Sequence, residues 1–101
     1  MLELRPTCEN CGKDLRNDSD EAMICTFECT YCVDCVTNVL ENVCPNCGGG
    51  FEKRPTRPIQ CLTPNCLSNF PAKTEKKFRP VNSEKFKPLK DHFVNVDPRK
   101  R

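Results

Sequence analysis

With 101 residues, 37% of them hydrophobic, and no Trp, the chain has room for at most one domain plus a tail and buries only a small core. Its net charge of +2 hides an asymmetry. Residues 1–51 carry three basic side chains (Arg5, Lys13, Arg16) and nine acidic ones, a net of −6, whereas residues 52–101 carry thirteen basic and five acidic, a net of +8. No apolar run approaches the ~18 residues of a membrane-spanning helix, and "MLELRPTCEN" lacks the apolar stretch of a secretory signal, so the expected location is the cytoplasm, with no membrane partner.

A core this small needs a staple, and ten cysteines supply one. In a reducing compartment, closely paired cysteines read as metal ligands rather than disulfides. The first pair, Cys8 and Cys11, sits in "CENCG", where the following glycine can take the left-handed backbone conformation that closes a knuckle. A turn ("KDLRNDSDE") leads into "EAMICTF", whose alternation of Met23, Cys25 and Phe27 against Ala22, Ile24 and Thr26 predicts a strand. Cys25 pairs with Cys29, and Cys32 with Cys35. The latter pair opens "CVTNVLEN", where Val36, Val39 and Leu40 can share a helix face. A helix N-terminus favours thiolates through its free N–H groups and dipole. Cys44 and Cys47 form a last knuckle, "CPNCG", before Gly48-Gly49-Gly50 end a head at residues 1–51.

Three C-x2-C pairs and one C-x3-C pair offer eight thiolates, enough for two tetrahedral sites. Zinc suits them best, and iron is the rival metal. The order knuckle, turn, strand, ligand-bearing helix is that of a treble clef. It places Cys8, Cys11, Cys32 and Cys35 on one ion and Cys25, Cys29, Cys44 and Cys47 on a second. Sequential pairing into two zinc ribbons is the alternative, and a disulfide framework is the bland one. All-thiolate sites are closed and structural, so no catalytic zinc is expected: the lone His92 lies far down the tail, and "VCPNC" has no H-x-E partner.

The expected fold is therefore a small zinc-stabilised α+β module with a β-hairpin, one short helix and two sites. The spacing resembles the RING finger cross-brace, Pro45 included. It departs from the ubiquitin ligases of that type at Asn10, where they usually place an aliphatic residue, and at Gly48, where many carry a base. It also lacks an aromatic in "VTNVLENV" and any His ligand, which disfavours a ligase-like enzyme. The motifs "MLELRP", "CENC", "ICTFECTYCVDCVTNVL", "CPNCGG", "RPTRP" and "FPAKTEK" together resemble a family of short, cysteine-rich bacterial proteins known as a domain of unknown function. The resemblance implies a zinc-binding bacterial protein and brings no activity with it. "IQCLTPNC" departs from the family.

Residues 52–101 read as a basic, Pro-rich tail. Its seven prolines, from Pro55 to Pro98, leave no room for a long helix, so the expected tail is largely irregular, partly disordered or docked on the head. Cys61 and Cys66 are free thiols, an adventitious redox pair, or half of a third site shared between chains. "KFRP" and "KFKP" interleave bases with aromatics, which is the chemistry of single-strand nucleic-acid binding. The functional expectation is a non-catalytic protein-interaction or scaffold module. Its alternative is nucleic-acid binding or regulation through the tail, and oligomeric state stays open.

Overall fold

Three short strands and two α-helices form in the computed structural model, which describes residues 1–101. Strand β1 (Ala22–Ile24) pairs antiparallel with β2 (Thr30–Cys32) on one side and with β3 (Glu52–Lys53) on the other, so the sheet order is β2-β1-β3. The register sets Met23 opposite both Tyr31 and Lys53. The strand expected to reach Phe27 stops at Ile24, because the next residues turn. Glu28 N–H donates to the Cys25 carbonyl at 3.0 Å, and Glu28 takes a φ of 65°. The turn brings Cys25 and Cys29 to the same end of the hairpin and leaves Phe27 72% exposed at its tip.

Helix α1 (Val33–Asn38) follows β2 without a linker, with Cys32 as its N-cap. Val36 and Leu40 face the interior, whereas Val39, expected on the same face, sits at the C-cap and is partly exposed. Glu41 and Asn42 then both adopt positive φ, which ends the helix. The core is thin and runs between the cysteines: Leu15, Ala22, Tyr31, Val36, Leu40, Val43 and Phe51 are buried there. Tyr31 and Phe51 meet edge to face at 5.5 Å, a favoured aromatic geometry.

Residues 54–82 carry no regular element, but the expectation of an irregular tail fails beyond them. Ser83–Phe93 form helix α2. Its start is set by Asn82, whose side chain accepts the N–H groups of Glu84 and Lys85. Phe86, Leu89 and Phe93 recur at helical spacing and pack on the head's core, and Lys87 pairs with Asp91 one turn on. Pro88 lies inside the helix, where it removes one donor; the apolar stripe outweighs it. A short 3-10 turn, Pro98–Lys100, follows.

The tail is thus laid along the head. Arg57 donates to the Leu2 carbonyl at 2.7 Å, Lys73 N–H to Leu4 at 3.0 Å, and Arg79 N–H to Glu9 at 2.7 Å. Lys90 reaches Glu41 at 3.2 Å, and Arg101 donates to the carbonyls of Asn42 and Gly48. Arg54, almost fully buried, donates to the carbonyls of Arg5, Leu15 and Arg16, so one side chain ties the turn after the first knuckle to the sheet.

Candidate metal centre

The two C-x2-C-G knuckles have the same backbone. Gly12 and Gly48 both take a φ of 78°, and each donates its N–H to the carbonyl of the first cysteine of its pair, Cys8 at 3.0 Å and Cys44 at 2.7 Å. Left-handed backbone at that point costs glycine nothing, and it swings the second cysteine back beside the first.

The sulfurs of Cys8, Cys11, Cys32 and Cys35 lie within 4.8 Å of one another. Cys11 and Cys32 are 3.7 Å apart. Four ligands about 2.3 Å from a tetrahedral zinc would stand about 3.8 Å apart, so this spacing fits such an ion. The first knuckle supplies two sulfurs; the N-cap and first turn of α1 supply the other two. The sulfurs of Cys25, Cys44 and Cys47 form a second cluster within the same limit. Cys29 is not within that limit of all three. It adjoins the cluster, interacting with the thiols of Cys44 and Cys25. The clusters therefore interleave along the chain, the first drawing on residues 8–35 and the second on 25–47.

Two asparagines that the ligand reading passes over bind sulfur. Asn10 donates through Nδ2 to Cys35 Sγ at 3.3 Å, and Asn46 donates to Cys29 Sγ at 3.3 Å. The signal was present, since both knuckles read C-x-N-C. Asn10, noted above only as a departure from the ligases, also accepts the Val81 N–H of the tail at 2.8 Å. Glu9 is the other missed residue. Its N–H donates to the Thr30 carbonyl, and its Oε2 accepts the Thr30 N–H and Arg5 Nη1, which stitches the first knuckle to β2.

The thiols differ in acidity. Hydrogen bonding with Cys44, then with Asn46, pushes Cys29 down to about 5, and the same contact pushes Cys44 up. Burial pushes Cys25 up to about 11 and raises Cys32 and Cys35. At Cys8 burial is outweighed by backbone hydrogen bonds from Cys11, Cys32 and Asn10, which hold the thiol below its ordinary value. Cys8 and Cys29 are thus the more acidic thiols, and Cys25, Cys32, Cys35 and Cys44 the less acidic ones. A divalent cation would favour the thiolate at each ligand and release protons on binding.

Cys61 and Cys66 are joined by a disulfide. They are therefore not the free thiols that the tail reading offered first, and with both sulfurs so bonded neither is available as a metal ligand. His92 stacks edge-on against Phe93. No helix is long and apolar enough to cross a membrane.

An uncharacterized protein of Rhizobium meliloti (strain 1021) is 49% identical over 80 residues, which cover 79% of this chain and 89% of that relative. No solved structure matches at a significant level. The family model described as "Protein of unknown function (DUF1272)" matches residues 1–57. Knuckles, hairpin, helix α1 and both sulfur clusters all fall inside that span, and the chain belongs to this family.

Proposed function

We propose that residues 1–51 are a two-zinc, treble-clef-like module and that the protein is a non-catalytic interaction or scaffold protein of the cytoplasm. The reading is carried by one observation: four sulfurs drawn from two separated pairs lie within 4.8 Å of one another. Nothing apolar in so small a core explains why a chain would gather them, whereas a tetrahedral ion does. Zinc is preferred to iron because four thiolates around a tetrahedral, redox-silent ion make the closed structural site that paired C-x2-C knuckles most often serve; the glycine closures themselves suit either metal. Cys29, which adjoins the cluster, completes the second site in this reading. An all-thiolate donor set leaves no open position for chemistry, which argues against a metal-dependent enzyme.

Native mass spectrometry with elemental analysis tests the proposal. Two zinc ions per chain are expected. Cys32→Ser should lose metal, while Cys61→Ser, at a sulfur outside both clusters, should keep it. A metal-free folded protein, or equal loss in both variants, would refute the site.

Nucleic-acid binding through the tail remains the second reading. Phe78 is 58% exposed beside Lys76, Lys77 and Arg79, but Phe86, the aromatic of the second basic motif, is withdrawn into the core. That leaves one stacking residue where the motif offered two. Affinity for single strands that falls steeply with salt would favour this reading over the first.

A further inference from the structure

We propose that the cleft between the second knuckle and the start of α2 is a binding site for a small oxyanion, a carboxylate or phosphate group carried by a partner molecule. The cleft has a volume of about 220 Å³, and its polar walls are Tyr31, Asn46, Arg79, Asn82 and Lys85. No Asp or Glu lines it, although the head around it is acidic.

Lys85 takes part in no ion pair, and Arg79 is held only loosely. Its Nη2 lies 3.9 Å from Glu9 Oε1, a buried oxygen with no hydrogen bond of its own, whereas Arg5 meets the other carboxylate oxygen, Oε2, at 2.9 Å. By contrast Arg54, Arg57 and Arg101 spend their guanidinium groups on backbone carbonyls.

A second, independent observation is Tyr31. As a residue it is only 2% exposed and it lines the cleft, and its hydroxyl makes no hydrogen bond within the chain; it is not sealed from solvent, the one fully buried side-chain oxygen without a partner being Glu9 Oε1. An oxyanion in the cleft would supply the acceptor. The N-terminus of the eleven-residue α2 opens at Asn82 on the same cleft and adds the positive end of its dipole, although the Glu84 and Lys85 N–H groups are already capped by the Asn82 side chain.

The walls are held in place from behind. Arg79 N–H donates to Glu9, Val81 N–H to Asn10, and Phe86 is buried in the core, so the backbone is fixed and ordering on binding falls on the exposed side chains of Arg79 and Lys85. The volume falls below the ~300 Å³ at which drug-sized ligand pockets begin, which suits a single charged group rather than a whole nucleotide. Arg79 and Lys85, which supply the charge, lie outside both sulfur clusters, whereas Asn46 belongs to the second knuckle and donates to Cys29 Sγ.

The test is an amide NMR titration of the metal-loaded full chain with inorganic phosphate and, separately, with acetate, against sodium chloride at matched ionic strength. Saturable shifts are expected at Asn46, Val81, Asn82 and Lys85. Arg79→Gln and Lys85→Gln should each weaken binding about tenfold, and Tyr31→Phe by a smaller factor with metal content unchanged. Saturation by phosphate alone assigns the site to phosphoryl groups; saturation by both assigns it to oxyanions generally. Shifts no larger than those from chloride, or shifts that track loss of metal, would overturn the proposal. So would variants that shed metal while their anion response is unaltered, because Arg79 and Lys85 would then only balance thiolate charge.

Discussion

Asn10 and Asn46 occupy equivalent places in their knuckles, and each spends its amide on a sulfur from another segment. Such N–H···S contacts delocalise thiolate charge and fix the direction of the lone pairs. Arg54 does comparable work for the backbone. It is 3% exposed, has no carboxylate partner, and serves three carbonyls. Replacing it with Met keeps most of the packing volume but leaves those carbonyls without donors. Unpaired buried acceptors cost roughly 1–3 kcal/mol each, and part of that is recovered by dispensing with a buried charge. Arg54→Met should therefore destabilise the metal-loaded fold by about 3 kcal/mol, read as a lowered denaturant midpoint; an unchanged midpoint would show that water replaces the guanidinium.

Among the elements, the cysteine-bearing ones were legible in the sequence and α2 was not. Knuckle spacing and the glycine after each knuckle dictate local backbone directly, because so few conformations bring two sulfurs together. The hairpin was visible as alternation, but its strand was read three residues too long, since Thr26 and Phe27 continue the pattern while the chain is already turning. Helix α2 was hidden by Pro88. The prohibition on proline carried more weight than the stripe of Phe86, Leu89 and Phe93, although the stripe decides the outcome by packing on the core. Asn82 followed by Ser83-Glu84 was a readable start signal. Phe86 is the anchor, and Phe86→Ala should cost on the order of 3–5 kcal/mol. Its amide exchange signature would be loss of protection across 83–93, with the sheet still protected; uniform loss everywhere would mean that α2 and the head unfold as one unit.

For the whole molecule, metal binding and folding are expected to be one event. Structural zinc sites of this class contribute on the order of 10 kcal/mol or more, which exceeds what seven or so buried apolar side chains can leave after chain entropy. Chelation should collapse amide dispersion throughout residues 1–51. The sign of the pH dependence follows from the thiols: burial raises Cys25, Cys32 and Cys35, and each must give up its proton to bind metal. Metal-conferred stability is accordingly present at high pH and lost as pH falls, and an apparent zinc affinity that did not rise with pH would contradict thiolate ligation. Tail docking works at the same scale. The basic tail lies against an acidic head through buried Phe86 and backbone hydrogen bonds as well as charge, so salt alone should not release it.

Interleaved clusters also impose a timetable on a chain being made from its N-terminus. The first set of four sulfurs is complete once Cys35 has emerged, when Cys25 and Cys29 still await Cys44 and Cys47. A nascent head would thus close one knot around a loop that already presents half of the next. A circular permutation that moved the first knuckle to the C-terminus would reverse that sequence of events.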